Sequence, residues 1–261
     1  MSGVKCIDKI ISMLMIAVLG LGLVSCGKDN ADEGTYNLET TSYQYGITKV
    51  NNISDVSFFS NGLCVTDQDN FGIDQVDSQV AGGGGVFNLA TGECTYGQNL
   101  FGRMYPASTT KILTCLVAIE QGNLSDMVTV SEHAADQTPD SSVAGLAAGD
   151  VMTLKDLLYG LMLRSGNDAA IAIAEHIGGS EEGFAELMNA KAKSLGATQS
   201  HFVTPHGLHQ DDHYTTIYDM YLIFQAALQN ETFLEVISSA SYDVSYTGAS
   251  GEAKSQTWVS T

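Results

Sequence analysis

Ser108 and Lys111, in the stretch Ser-Thr-Thr-Lys, are the first residues whose types and spacing suggest chemistry. On a helix this spacing places both side chains on one face, one turn apart. Unpaired N–H groups at a helix start favour negative charge developing on the serine oxygen. Burial disfavours the charged form of a lysine, so Lys111 could act as general base for the Ser108 hydroxyl.

The four-residue pattern alone is weak, because Ser2–Lys5 has the same spacing. A helix-capping serine followed by a lysine that extends its ammonium into solvent would give the same letters. The context favours Ser108, since Pro106 precedes it and the helix behind it is apolar on nearly all sides. A helix without a polar face is a buried one, which predicts a buried Lys111.

Ser165-Gly166-Asn167 is the second candidate site and the only Ser-x-Asn stretch in the chain. It interrupts two apolar helical patterns, so its side chains could project into a cleft. A hydroxyl there can relay protons, and an amide can orient the carbonyl of an acyl donor. The competing interpretation is structural, with Asn167 or Asp168 capping the second helix.

The elements around these residues form a helical cluster with strands at both ends of the chain. A hairpin is predicted from Val86–Leu89 and Glu93–Tyr96, and a buried helix from Ser108 to Gln121. Thr153 and Asp156 resemble a capping box at the start of another helix. Further helices are predicted over 168–177, over 180–195 and from 216 onward, with strands over 56–59, 62–66 and 241–247 and an extended C-terminal stretch.

Composition excludes several classes of protein. The 261 residues are 44% hydrophobic, enough for a buried core. Lys and Arg total 11 against 30 Asp and Glu, for a net charge of −19, so nucleic acid is a poor partner. Beyond the N-terminal segment, Cys64, Cys94 and Cys115 have no Cys-x-x-Cys spacing. That pattern argues against a disulfide framework and a thiolate metal site.

The N-terminus has the pattern of an export signal. An apolar run, Ile10–Val24, follows two lysines and ends in Leu-Val-Ser-Cys, which resembles a bacterial lipoprotein cleavage box with Cys26 as the lipidated residue. An ordinary export signal or a membrane-anchoring helix is the alternative. We expect a signal peptide over 1–25, a polar tether over 26–45 and a catalytic domain over 46–261.

From about residue 82 to 261 the chain closely resembles the D-alanyl-D-alanine carboxypeptidases, the serine-type low-molecular-mass penicillin-binding proteins. The matching stretches are MYPASTTKILT (104–114), LKDLLYGLMLRSGNDAAIAIAEHIGGS (154–180) and LGATQSHFVTPHGLHQDDHYTT (195–216). The resemblance implies an α+β, penicillin-recognising fold of the serine β-lactamase and DD-peptidase type. In that fold a helical cluster lies beside an antiparallel sheet.

The resemblance also implies the chemistry. Ser108 would be the nucleophile, Lys111 its base, and Ser165 and Asn167 the second motif of the cleft, with Ser165 catalytic and Asn167 binding substrate. The N–H of Ser108 would supply half of the oxyanion hole. The reaction would release the terminal D-Ala of a peptidoglycan stem peptide, without a cofactor. From the N-terminal segment, we expect it to take place at the outer face of the bacterial cytoplasmic membrane, with the protein lipid-anchored or secreted. β-Lactams would acylate the same serine.

One departure from the family pattern is the third motif, Lys-Thr-Gly. Tyr246-Thr247-Gly248 has no lysine, and Thr247 and Gly248 are predicted to form a turn. The chain is therefore expected to end before that motif and to lack the C-terminal strands. Without this motif the chain would lack the lysine whose positive charge contacts the substrate carboxylate. We therefore expect that this chain could be inactive. A lipid-anchored domain that binds wall peptides without turnover is one alternative.

Two other classes of enzyme stay open at this point. A β-lactamase would share Ser-x-x-Lys, and Glu186 with Asn189 is the nearest match to its deacylating element, although surface positions on a helix explain the pair better. A zinc hydrolase would need several histidines together. Those available are His201, His206, His209 and His213, with Asp211 and Asp212 nearby, but His206 and His209 are predicted in a loop, and no metal is predicted.

Overall fold

The computed structural model describes residues 62–73 and 81–260, which all fall within the unit Ser60–Thr261. The predicted signal peptide, Cys26, the tether and the strand over 56–59 lie outside these residues. Among the described helices, none is both long and apolar enough to cross a bilayer.

Six strands and seven α-helices are formed by the described residues. The strands are β1 (Gly84–Asn88), β2 (Glu93–Gln98), β3 (Met127–Thr129), β4 (Val151–Thr153), β5 (Ser241–Thr247) and β6 (Ala253–Val259). The helices are α1 (Thr110–Gln121), α2 (Glu132–Ala135), α3 (Leu154–Leu163), α4 (Asn167–Gly178), α5 (Glu181–Ser194), α6 (Ile217–Ala227) and α7 (Glu231–Ile237). A short 3-10 helix, Ala107–Thr109, leads directly into α1.

Two antiparallel sheets flank the helices. β1 and β2 form the predicted hairpin, with a register shift between Val86 and Phe87. The other sheet has the strand order β3-β4-β5-β6. Thr247 is the last residue of β5 and pairs with Ala253 of β6, so its predicted place in a turn is wrong, and the turn begins at Gly248.

Several helices begin at residues whose side chains cap the helix N-terminus. The Thr153 hydroxyl accepts the N–H of Asp156, and the Asp156 carboxylate accepts the N–H of Thr153, which confirms the capping box. Ser180 and Thr216 cap α5 and α6 through their hydroxyl oxygens. These caps satisfy backbone N–H groups that have no partner inside their own helices.

The main hydrophobic core is built around α1. This helix is buried on most of its surface, as its apolar sequence predicts, with Leu113 and Leu116 among its core residues. It contacts α3, α4 and α5, which contribute Leu157, Ile173 and Phe184. Close packing on most sides keeps α1 rigid, so a polar group at the start of the helix can face the cleft in a fixed position.

The predicted strand over 62–66 is not formed. That segment is held by side chains instead, because the Tyr221 hydroxyl accepts the Cys64 N–H at 2.7 Å and the Tyr218 hydroxyl donates to the Cys64 carbonyl at 3.0 Å. Cys64 is fully buried, together with Leu222. β3, β4, α2 and α7 have no clear signal in the sequence, and all four are short.

Candidate active site

Ser108 lies in the 3-10 helix that precedes α1, and it is exposed to solvent. Ala107, just before it, has a φ of 48°, a left-handed conformation that is strained for a residue with a Cβ. Such strain is common where a reactive group is presented to a cleft. The backbone therefore turns sharply to expose the Ser108 hydroxyl next to a buried helix.

Lys111 is only 2% exposed, as its place in an apolar helix predicts. Its Nζ lies 3.3 Å from Ser108 Oγ. It also donates to Asn167 Oδ1 at 2.8 Å and to the His206 carbonyl oxygen at 2.9 Å. Two buried acceptors thus fix the amine beside the serine hydroxyl.

Burial changes the acid–base behaviour of this amine. Loss of solvation lowers the pKa of Lys111 from 10.5 to about 8, and the nearby Asp168 carboxylate opposes that shift. A minor but useful fraction of the side chain is therefore the neutral amine at neutral pH. The geometry and the lowered pKa together suit Lys111 to accept the Ser108 proton.

The break between α3 and α4 contributes the second motif. Ser165 has a φ of 52°, and Gly166 is the N-cap residue of α4 without a side-chain cap. Asn167 therefore does not cap the helix; its side chain is buried and faces Lys111. Ser165 is half-buried, and its hydroxyl has no hydrogen-bond partner among residues 62–73 and 81–260.

Asp168 holds the segment beside this break, a role the sequence did not reveal. Its buried carboxylate accepts N–H groups of Ala144, Gly145 and Leu146 at 2.8–3.0 Å, as well as that of Ala169. The Asn167 N–H donates to the Ser142 carbonyl at 2.8 Å. These bonds fix the start of α4, and with it the Asn167 amide.

The loop that carries His206 packs directly on the segment that carries Ser108. Gly207 has a φ of +84°, and a Cβ there would collide with the carbonyl oxygen of Ala107. Thr114 of α1 donates to the Pro205 carbonyl at 2.6 Å. Only glycine at position 207 allows the His206 carbonyl to reach Lys111 from this side.

We expect Gly207→Ala to slow acylation of the protein by benzylpenicillin at least about tenfold, because a Cβ would push the loop away from Ala107. The matched control is Gly251→Ala, at a φ of +85° with open space around it. The control should lose about 1–2 kcal/mol of unfolding free energy from backbone strain alone, and acylate normally. Equal acylation rates in the two variants would contradict the close-approach argument.

His213 is a buried residue that the sequence pointed to only as a metal ligand. Its Nδ1 accepts the Val203 N–H at 3.1 Å, so Nε2 carries the ring proton and donates to the Thr110 hydroxyl at 3.0 Å. Burial lowers the pKa of His213 to about 4. The ring is therefore neutral at neutral pH and ties the loop to the first residue of α1.

The residues behind the zinc-hydrolase alternative and the proposed deacylating pair of a β-lactamase can be located in the described part of the chain. There, no three His, Cys, Asp or Glu side chains are grouped to hold a metal ion. His209 is exposed and lies 3.5 Å from Asp211. Glu186 is exposed, as expected, and Asn189 is half-buried, with its amide exchanging hydrogen bonds with the backbone of Phe202.

A cavity of about 650 Å³ lies between β1, α6 and the segment 104–109. Its lining is mostly apolar and includes Val86, Met220 and Phe224. Neither Ser108 nor Lys111 lines it. The candidate site is therefore located by the polar contacts of these two residues and not by this cavity.

Comparison with known proteins places the chain in a family. Residues 75–257 match the sequence profile described as D-alanyl-D-alanine carboxypeptidase. D-alanyl-D-alanine carboxypeptidase DacF of Bacillus subtilis is 43% identical over 147 residues, which cover 54% of this chain and 37% of that protein. The chain thus spans well under two thirds of this curated relative.

Solved structures agree with the sequence match. The crystal structure of the Streptomyces K15 DD-transpeptidase aligns with a TM-score of 0.64 and 33% identity, covering 69% of this chain and 72% of that one. A D-alanyl-D-alanine carboxypeptidase from Mycobacterium tuberculosis H37Rv aligns with a TM-score of 0.60 and 32% identity, covering 67% and 64%. The expected α+β, penicillin-recognising fold is confirmed, and the chain belongs to the D-alanyl-D-alanine carboxypeptidase family.

Proposed function

We propose that this protein is a serine-type D-alanyl-D-alanine carboxypeptidase that trims peptidoglycan stem peptides. The observation that carries the proposal is the buried Lys111 amine, 3.3 Å from the Ser108 hydroxyl. Family membership supports the substrate class, peptides that end in D-Ala-D-Ala. β-Lactams are the expected inhibitors, because they present a strained amide to the same nucleophile.

The first half of the proposed reaction is acylation of Ser108. Neutral Lys111 accepts the hydroxyl proton as Ser108 Oγ attacks the carbonyl carbon of the penultimate D-Ala. The negative charge on that carbonyl oxygen develops near the start of α1, where N–H groups and the helix dipole favour it. The C–N bond then breaks, and terminal D-Ala leaves after its amine takes the proton from the Lys111 ammonium.

The second half is hydrolysis of the ester. Water attacks the acyl carbonyl while Lys111, again neutral, accepts a proton from the water. The ester bond breaks as Ser108 Oγ takes the proton back from the Lys111 ammonium, and the shortened peptide leaves as a carboxylic acid. The same amine thus serves both half-reactions, which requires a pKa near the working pH.

Ser165 and Asn167 are proposed to complete the cleft. Asn167 Oδ1 accepts from Lys111, which leaves the Nδ2 hydrogens to donate to the substrate carbonyl. The unpaired Ser165 hydroxyl, in the part of the chain described, suits a proton relay between the lysine and the leaving amine. Both roles are carried over from the family's second motif to these two positions.

We also propose where the protein acts. Residues 1–25 direct export, Cys26 is lipidated, and residues 26–45 tether a catalytic domain, 46–261, to the outer face of the cytoplasmic membrane. The apolar run ending in Leu-Val-Ser-Cys supports this arrangement. Cys26→Ala in the full chain should abolish incorporation of a labelled fatty acid; unchanged labelling would refute lipidation at this residue.

Release of free D-Ala tests the function directly. An N-acylated peptide ending in D-Ala-D-Ala should lose one residue, whereas the matched peptide ending in L-Ala should not. Binding of the first peptide without release by folded protein would instead indicate a wall-peptide-binding domain. Rapid repeated hydrolysis of benzylpenicillin would indicate a β-lactamase.

A further inference from the structure

Glu181, the first residue of α5, joins two histidines from different segments. Its Oε1 lies 2.9 Å from His133 Nε2, and its Oε2 lies 3.4 Å from His206 Nε2. His133 belongs to α2, and His206 lies in the loop between α5 and α6. One carboxylate therefore connects α2, α5 and the loop that reaches the nucleophile.

The His206 ring is held at both of its nitrogens. The Leu208 N–H donates to Nδ1 at 3.0 Å, so the proton of the ring lies on Nε2 and faces Glu181. The side chain is 9% exposed, which leaves little competition from water. The ring orientation is thus set by one backbone donor and one carboxylate.

The carbonyl of this same residue is one of the two buried acceptors for Lys111 Nζ, at 2.9 Å. Thr114 holds the preceding carbonyl, and the Gly207 N–H donates to Thr204 Oγ1 at 3.2 Å. These contacts hold the chain on each side of His206. The Gly207 N–H and the His206 carbonyl belong to one planar peptide unit, so Thr204 restrains that unit from one side, and the His206 ring adds a second restraint.

Glu181 is a permanent anion at neutral pH. Its contacts with His206 and then His133 hold its pKa below the usual range, while burial opposes the shift. Its carboxylate in turn raises the pKa of His133, to which Glu175 and Asp136 add smaller effects. Because neutral histidine N–H groups also donate to it, the carboxylate can hold the His206 ring whether or not His133 is charged.

We propose that Glu181 is a positioning residue for Lys111: it holds the His206 ring and, together with the Thr204 contact, restrains the carbonyl that accepts from the Lys111 amine. The role of Glu181 in catalysis rests on the proposed function, whereas its effect on the pKa of the Lys111 amine does not. A fixed carbonyl stabilises the ammonium form and points Nζ at Ser108. Loosening the carbonyl should lower the pKa of Lys111 and slow proton transfer together.

Glu181→Gln tests this assignment, with Glu182→Gln as the matched control. Both glutamates lie in the first turn of α5, so both variants lose the same interaction with the helix dipole, and Glu182 is exposed. In Glu181→Gln, the pH titration of the Lys111 Cε resonance by NMR should move down by about 0.5 pH unit. Acylation by benzylpenicillin at high pH should fall about fivefold. Glu182→Gln should change neither quantity.

The titration separates this proposal from the proposed function. Asp168 is the charged group that opposes the lowered pKa of Lys111, and both variants retain it. If Lys111 titrates at the same pH in both variants, Glu181 has no positioning role. If the unsubstituted protein is not acylated, the proposed function fails, while the NMR titration still decides the role of Glu181.

Discussion

Replacement of Ser108 by alanine is expected to abolish release of D-Ala from a D-Ala-D-Ala peptide, by at least about 10³-fold in kcat/KM. The Ser108 hydroxyl lies at the start of α1, 3.3 Å from the Lys111 amine. Among the described residues, no other hydroxyl of the site meets both conditions. Without the Ser108 hydroxyl no ester can form, whatever the remaining groups do. Peptide affinity should change little, because alanine removes one oxygen from an exposed residue.

Thr109→Val is the control for this substitution. It removes the neighbouring hydroxyl, which donates to the Pro106 carbonyl at 2.6 Å and is not directed at Lys111. D-Ala release should stay within severalfold of the unsubstituted protein. Full loss in Thr109→Val with retained activity in Ser108→Ala would reverse the assignment of the nucleophile.

Replacement of Lys111 has the second large expected effect. Lys111→Met keeps the approximate shape but has no basic nitrogen, and Lys111→Arg keeps a charge that cannot be given up at working pH. Both should lower acylation by benzylpenicillin by about 10²–10⁴-fold, the usual contribution of a general base. Lys193→Met, on the exposed surface of α5, should have no effect.

The pH dependence gives a sharper version of the same prediction. Because the pKa of Lys111 is lowered to about 8, acylation should rise with pH below that value and level off above it. A profile that is flat from pH 6 to pH 9 would contradict Lys111 as base. The Lys111→Arg protein should show no such rise in its residual rate.

Stability should respond to the same shift. The folded pKa of Lys111, about 8, lies below the ordinary value of 10.5, so the unfolded chain binds more protons between these two pH values. The contribution of Lys111 to unfolding free energy therefore rises with pH across that window. The Lys111→Met variant should lose this part of the pH dependence, measured by urea unfolding at pH 7.5 and 10.

The parts of the site that can be predicted from the sequence are those with a side-chain signal. The helix around Lys111 has no polar face, which predicts its burial and places Ser108 at the helix start. The position of Asn167 in a break between apolar helices predicts a cleft residue, and the structure brings it to the lysine. Ser165 lies in the same break, and its role stays a proposal.

The parts that cannot be predicted from the sequence depend on the backbone or on distant partners. The His206 carbonyl that holds Lys111 is a main-chain group, which every residue has. The need for glycine at position 207 comes from its contact with Ala107, far away in sequence. β3 and β4 have three residues each, too few for alternation to be recognised.

The most direct test of Ser108 as the nucleophile is to locate the acyl group on the protein. The mature protein would be incubated with benzylpenicillin, its intact mass recorded, and its peptides sequenced by mass spectrometry. We expect addition of one penicilloyl group, carried by Ser108, and none on the Ser108→Ala protein. A folded protein without an adduct, or an adduct on any other residue, would contradict the proposed mechanism.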